Sequence, residues 1–348
     1  MNKRFFGKVF LFLMLCIVLL TVYCLFGTGL DIHKTENGWI CFGPIQYGIR
    51  TPKTRPILCD QEIVILEKYK NNSSKKNFLR DDYYLTVLAI DDGNIISRTK
   101  LRFEKHPLQV KGMWPWNDKI VIWGYHQNEP GLNTRIYNIS ILDIKGHMIK
   151  KFGLDSSANP MAIDESNNLL LCRCKYPETL PEIHDIEVES PDMNTFVYLY
   201  DLISGKTKFR EQLDDMFEII TDNNGNAYFL RRTIIDVDKD LYGAILEKYS
   251  IEPWEHIWSI SIEGLNRKYP ITASYQDGLI WYAMYDEEGG SSVEEKIEWV
   301  NIPIDAQTGL KTESKYEFNP YIKQIKLKDK VYKINYQNGK LEISIISK

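Results

Sequence analysis

The stretch MAIDESNNLLLCRC (161–174) and its near copy FEIITDNNGNAYFLRR (217–232) decide the fold. Each reads as a short apolar strand, a polar tight turn and a second apolar strand, the grammar of a β-hairpin. Four more stretches repeat it: PILCDQEIVILEKY (56–69), GMWPWNDKIVIWGY (112–125), ITASYQDGLIWYAMY (271–285) and IKQIKLKDKVYKINY (322–336). Their turns centre near Asp60, Asn117, Asn167, Asn224, Asp277 and Asp329, at intervals of 57, 50, 57, 53 and 52 residues. A period of this length held over most of the chain marks a repeat architecture.

A second hairpin follows in each unit. It is carried by LTVLAIDDGNIISR (85–98), ISILDIKGHMIKKF (139–152), VYLYDLISGKTKF (197–209) and VNIPIDAQTGLKTE (300–313), with LEKYSIEPWEHIWSI (246–260) in the same place in the fourth unit. Gly93, Gly146, Gly205 and Gly309 supply the positive φ that these turns need. Four strands per unit, six units and no helical periodicity after residue 37 define an all-β fold, a six-bladed β-propeller. Two Greek-key sandwiches would not produce six matching intervals. The last unit ends after three strands, so its fourth must come from elsewhere. Residues 38–49 are apolar and belong to no other unit, and they are expected to close the sixth blade.

The stretches NPMAIDESNNLLL (159–171), SILDIKGHMIKKFG (140–153) and EIITDNNGNAYFL (218–230) resemble the repeats of NHL-type six-bladed propellers, over residues 38–348. The resemblance implies the fold and a versatile binding scaffold, and transfers no catalytic residue.

The N-terminus has a different composition. Lys3, Arg4 and Lys8 precede VFLFLMLCIVLLTVYCLF (9–26), eighteen residues without a charge. As a helix this run would reach about 27 Å, close to the ~30 Å hydrocarbon core. The expected order is a cytoplasmic basic stub (1–8), a single transmembrane signal-anchor (9–26), a linker (27–37) and an extracytoplasmic propeller (38–348) at the cell membrane. Cleavage after Gly29, giving a secreted domain, is the alternative. Past the anchor 40 basic residues face 47 acidic ones, a balance of −7 that argues against nucleic acid as a partner. Of the four cysteines beyond it, Cys41 and Cys59 could pair in an oxidising compartment. Cys172 and Cys174, two apart in a strand, share a face, and the spacing does not suit zinc.

No common catalytic signature occurs, and no cofactor is predicted. The connections between second and third strands, about 67–82, 126–134, 175–194, 233–243 and 285–295, are the longer ones and should crowd onto one face. That face holds the binding candidates His126, His184, Asp185 and Glu187. In DVDKDLYGAILE (236–247) the residues Asp236, Asp238, Asp240 and Glu247 stand at calcium-loop offsets, although Leu241 replaces the required glycine and Glu247 is expected in the next strand. Calcium or another divalent cation is therefore a secondary expectation. Tryptophans 114, 116, 123 and 281 are read as wedges between blades. Two functions remain open: a module binding a protein, peptide or glycan, and a metal-dependent hydrolase of lactonase-like type with its site at the central channel.

Overall fold

The structure is a computed structural model. Residues 1–28, 44, 46–55, 60, 72–79, 103–107, 128–134, 155–157, 175–194, 214–215, 237–240, 264–267, 287–296, 301, 314–317, 320–321, 338–339 and 348 lie outside the described residues. The basic stub and the proposed span fall in the first of these stretches. Among the described residues no helix is long and apolar enough to cross a membrane.

The chain begins with a hairpin, β1 (Asp31–Thr35) and β2 (Gly38–Phe42). Blade 1 follows as β3 (Ile57–Cys59), β4 (Glu62–Asn71), β5 (Arg80–Ala89) and β6 (Ile95–Lys100). Blade 2 is β7 (Leu108–Trp116), β8 (Lys119–Gln127), β9 (Arg135–Asp143) and β10 (Met148–Gly153). Blade 3 is β11 (Asn159–Asp164), β12 (Leu169–Cys174), β13 (Phe196–Asp201) and β14 (Thr207–Gln212). Blade 4 is β15 (Met216–Thr221), β16 (Asn226–Asp236), β17 (Leu241–Ser250) and β18 (Glu255–Glu263). Blade 5 holds β19 (Lys268–Gln276), β20 (Leu279–Asp286), β21 (Ile297–Trp299) and β22 (Ile304–Asp305), and blade 6 holds β23 (Ile322–Leu327), β24 (Lys330–Gln337) and β25 (Lys340–Ser347). The six sheets are antiparallel meanders, an all-β six-bladed propeller. Inner strands of successive blades, β11, β15 and β19, touch one another and line the centre of the ring.

Blade 6 is built from both ends of the chain. β2 pairs with β25, Gly38 opposite Ser344 and Phe42 opposite Lys340, and β1 adds a fifth strand outside it. The stretch read as a linker thus contains an edge strand, and the closing strand itself ends at Phe42. Ile45 already bridges to Glu67 of blade 1. Blade 5 departs from the four-strand pattern. β21 and β22 pair with different parts of β20, and among the described residues a single bridge, Ile304 to Lys311, stands where an outer strand would run. Pro303, which has no N–H to donate, sits between the two short pieces.

A blade is covered on both faces, so its middle strands are apolar throughout rather than alternating. In β12, Leu170, Cys172 and Cys174 enter the cluster between blades 2 and 3, while Leu169 and Leu171 enter that between blades 3 and 4. Similar clusters fill the junctions of blades 1 and 2, 4 and 5, and 6 and 1. Tryptophans 116, 123 and 281 are buried within the ring, and Trp114 stacks on Trp123 at 5.6 Å. None of the four cysteines is in a disulfide. Cys41 belongs to the cluster between blades 6 and 1, whereas Cys59 packs against that between blades 1 and 2, so the blade 1 sheet separates the two thiols. Burial pushes the Cys41 thiol up to about 12.

The outer turns interlock with the preceding blade. Gly93 (φ 73°), Gly146, Gly205 and Gly309 all have positive φ, and the amide of each bonds back to the carbonyl of the residue four or three positions before. At Gly93 a Cβ would lie 2.8 Å from the ring of Trp39, so only glycine lets the closing strand dock. Trp39 is fully buried and donates its indole N–H to Ile90 O at 2.7 Å. Trp39→Ala should cost about 3–5 kcal/mol of unfolding free energy. Denaturant unfolding of the purified chain reads this loss directly, and an unchanged midpoint would remove Trp39 from the closure.

Candidate functional site

The ring has two unlike ends. At one, each blade presents its tight turns, and their polar side chains are consumed by local bonding. Asp143 Oδ1 accepts from the amides of Lys145 and His147, Asp201 Oδ1 from Ser204, and Asp222 Oδ1 from Asn224 and Asn226. Asp305 accepts from the hydroxyl and amide of Thr308, which hold its carboxyl below the ordinary range. Such Asx turns stabilise the bend and leave little capacity for a ligand.

The other end collects the connections β4 to β5, β8 to β9, β12 to β13, β16 to β17 and β20 to β21, because second strands end and third strands begin there. Of the sequence candidates, His126 and Asp236 lie in described strands that end here. His126 lies in the last turn of the β8 ladder, opposite Leu108 and Ile136. Asp236 closes β16 opposite Leu241. Asp238, Asp240, His184, Asp185 and Glu187 lie outside the described residues. Glu247, the twelfth offset of the calcium-loop spacing, is inside β17, and its carboxylate is 2.7 Å from Arg231 Nε. Among the described residues no group of three His, Cys, Asp or Glu is placed to hold a metal.

Beneath this face lie charged side chains that the sequence reading passed over. Glu67 is fully buried in blade 1 and accepts from Thr86, from Tyr69, and from Arg98 at 3.1 and 3.3 Å. Arg98 stacks on Tyr84, 3.9 Å from the ring centre. Burial and Glu67 push the Tyr69 hydroxyl up to about 12, so it stays a donor at any ordinary pH. A buried ion pair of this kind is tolerated because its hydrogen-bonding positions are filled. Arg173, whose guanidinium is lowered by burial and raised again by Glu218, donates to Met216 O at 3.4 Å. Glu218 in turn accepts from Thr272 at 3.4 Å. The signal for these groups was a charge beside an apolar run, as in EIVILEKY or FEIIT, which implies a partner but does not say where it is.

One concave region is bordered by Glu218, and a second lies apart from these groups. The central channel holds a cavity of about 270 Å³, bordered by Trp114, Met161, Glu165, Glu218, Thr221 and Tyr275 from four inner strands and their turns. At its tight-turn mouth burial raises Glu165, the charge of Asp164 adds to this, and the Asn117 amide and Lys323 oppose it. The second cavity, about 390 Å³, lies between blades 5 and 6, where the described residues form no aliphatic cluster. Phe318 stacks on Trp281 there at 4.8 Å, beside Gln276, Asp277, Gln324 and Lys333.

No protein-family model matches the chain, and no curated protein matches it. Solved structures are similar in fold. The β-propeller domain of the Trilobed protease from Pyrococcus furiosus aligns with TM-score 0.47 and 12% identity, over 85% of this chain and 82% of that one. A Synechocystis apocarotenoid oxygenase aligns with TM-score 0.45 and 10% identity, over 80% and 67%. A puromycin hydrolase aligns with TM-score 0.43 and 10% identity, over 88% and 48%. The class of protein is the six-bladed β-propeller, defined by its own strand order, and at these identities no activity passes from those proteins to this chain.

Glu165 offers a test of channel electrostatics. Its folded pKa is raised, so the folded chain binds the proton more tightly than the unfolded one, and stability falls as pH rises from the ordinary value of 4.5 through the folded value. Glu165→Gln should therefore raise the thermal midpoint at pH 7 and have little effect below pH 4.5, as read by melting curves across pH.

Proposed function

We propose that this chain is a membrane-tethered, extracytoplasmic propeller of NHL-like repeats that binds a protein, peptide or glycan through its long-connection face, without doing chemistry. The unlike ends of the ring carry this reading: one is spent on self-bonded turns, and the other gathers five connections of unequal length on a rigid frame. His126, His184, Asp185 and Glu187 belong to that face, and residues 175–194, with three prolines, are the longest connection in it. Proline lowers the entropy lost when such a segment orders on a partner.

A metal-dependent hydrolase is the second reading, favoured by two carboxylates, Glu165 and Glu218, that border one channel cavity. Asp236, Asp238 and Asp240 are the further cation candidates. Metal would serve there as a Lewis acid, and the chain's own carboxylates would hold it.

The two readings separate experimentally. Replacing residues 176–194 by Asn-Gly should leave the melting midpoint unchanged and abolish binding on peptide and glycan panels. Retained binding would exclude that connection. A midpoint raised by calcium in the parent chain but not in Glu218→Gln would instead support the hydrolase.

A further inference from the structure

The inner strands hold two carboxylates at different depths of the channel. β11, β15 and β19 lie side by side around the axis, each running from the long-connection end toward the tight turns. Thr221, the last residue of β15, donates its hydroxyl to Ile163 O of β11 at 2.6 Å, which sets those two residues at one level. Glu165 lies beyond Ile163, in the tight turn that follows β11. Glu218 lies on the other side of that level, three residues before Thr221, or about 10 Å of strand. Both border the same cavity of about 270 Å³. Glu218 is 7% exposed, and a charge so removed from solvent is screened little by salt.

Between the carboxylates the wall is apolar and aromatic. Met161, Ala162, Ile219, Ile220 and Ala273 border the cavity. Trp114 and Tyr275 border it too, both half-buried. Trp114 stacks on Trp123 at 5.6 Å and Tyr275 on Tyr228 at 6.1 Å, so each ring keeps one face away from its stacking partner. Such a face attracts a cation. No lysine, arginine or histidine among the described residues borders the cavity. The charges of Arg173 and Lys323 act on Glu218 and Glu165 from outside it.

We propose that the channel binds a linear aliphatic polyamine along its axis, one ammonium at Glu218, another at Glu165, and the methylenes against the apolar wall between them. Anionic groups at two levels match a ligand whose charges are spaced by hydrocarbon. A hard divalent cation instead draws six to eight oxygens to one point. Primary ammonium groups stay charged at neutral pH, as the lysine side chain does. The site takes the two carboxylates of the hydrolase reading for a different ligand, and it is separate from the long-connection face.

The experiment is calorimetric titration of the full chain in detergent with spermidine, in about 0.15 M salt. One-to-one binding is expected. Glu165→Gln and Glu218→Gln should each weaken it about tenfold or more, and Glu263→Gln, at an exposed acid of blade 4, should leave it unchanged. Butylamine, with a single ammonium, should bind more weakly and respond to no more than one of the two channel substitutions. Glu165→Gln is expected to be at least as stable as the parent, so it carries the test by itself if Glu218→Gln does not fold. Absence of binding, indifference to Glu165→Gln, or an equal loss in Glu263→Gln overturns the site. Equal affinity for butylamine overturns the two-ended geometry. Calcium that displaces spermidine and loses its own affinity in the channel variants would overturn the polyamine in favour of a metal.

Discussion

The ring depends on one set of hydrogen bonds, those between β2 and β25. Radial repetition covers each blade with its neighbours only if the last blade meets the first, and a linear chain reaches that state by sharing one sheet between its two ends. Here the N-terminal hairpin supplies the two outermost strands of blade 6, whose inner three come from the C-terminus. Trp39 of β2 carries the same contact sideways into blade 1, where Gly93 leaves room for its ring. Loss of this pairing would expose a long unpaired edge and the apolar faces of two blades together.

The junctions are not equivalent. Five hold buried apolar clusters, while the described residues of blades 5 and 6 meet around a polar-lined cavity and an aromatic stack. Among the described residues blade 5 also has the least regular ladder, with Pro303 between two short third-strand pieces and a lone bridge beyond them. At the other five junctions buried middle strands pack on both sides.

The bonding of polar groups differs between the two ends of the ring. Polar groups at the tight-turn end are satisfied by their own backbone, and buried ion pairs such as Glu67 with Arg98 and Glu247 with Arg231 support the opposite end from below. Arginine in these positions is bonded within the fold.

The sequence by itself determined the features whose causes are local. A strand, a turn and a strand recur because a hairpin is written in consecutive residues, and positive φ at Gly93, Gly146, Gly205 and Gly309 follows from the turn each must make. The candidates on the long-connection face were legible only as positions between strands, and most of them lie outside the described residues. Tertiary structure decided what depends on residues far apart in the chain. It decided that Asp31–Thr35 is a fifth strand and not a linker, and that the blade 1 sheet lies between Cys41 and Cys59. It also decided that Glu247 faces Arg231, that Glu165 and Glu218 border one channel, and that Gly29 rests on Tyr69. Periodicity records which face of a strand is buried, but it carries no record of which distant side chain lies against that face.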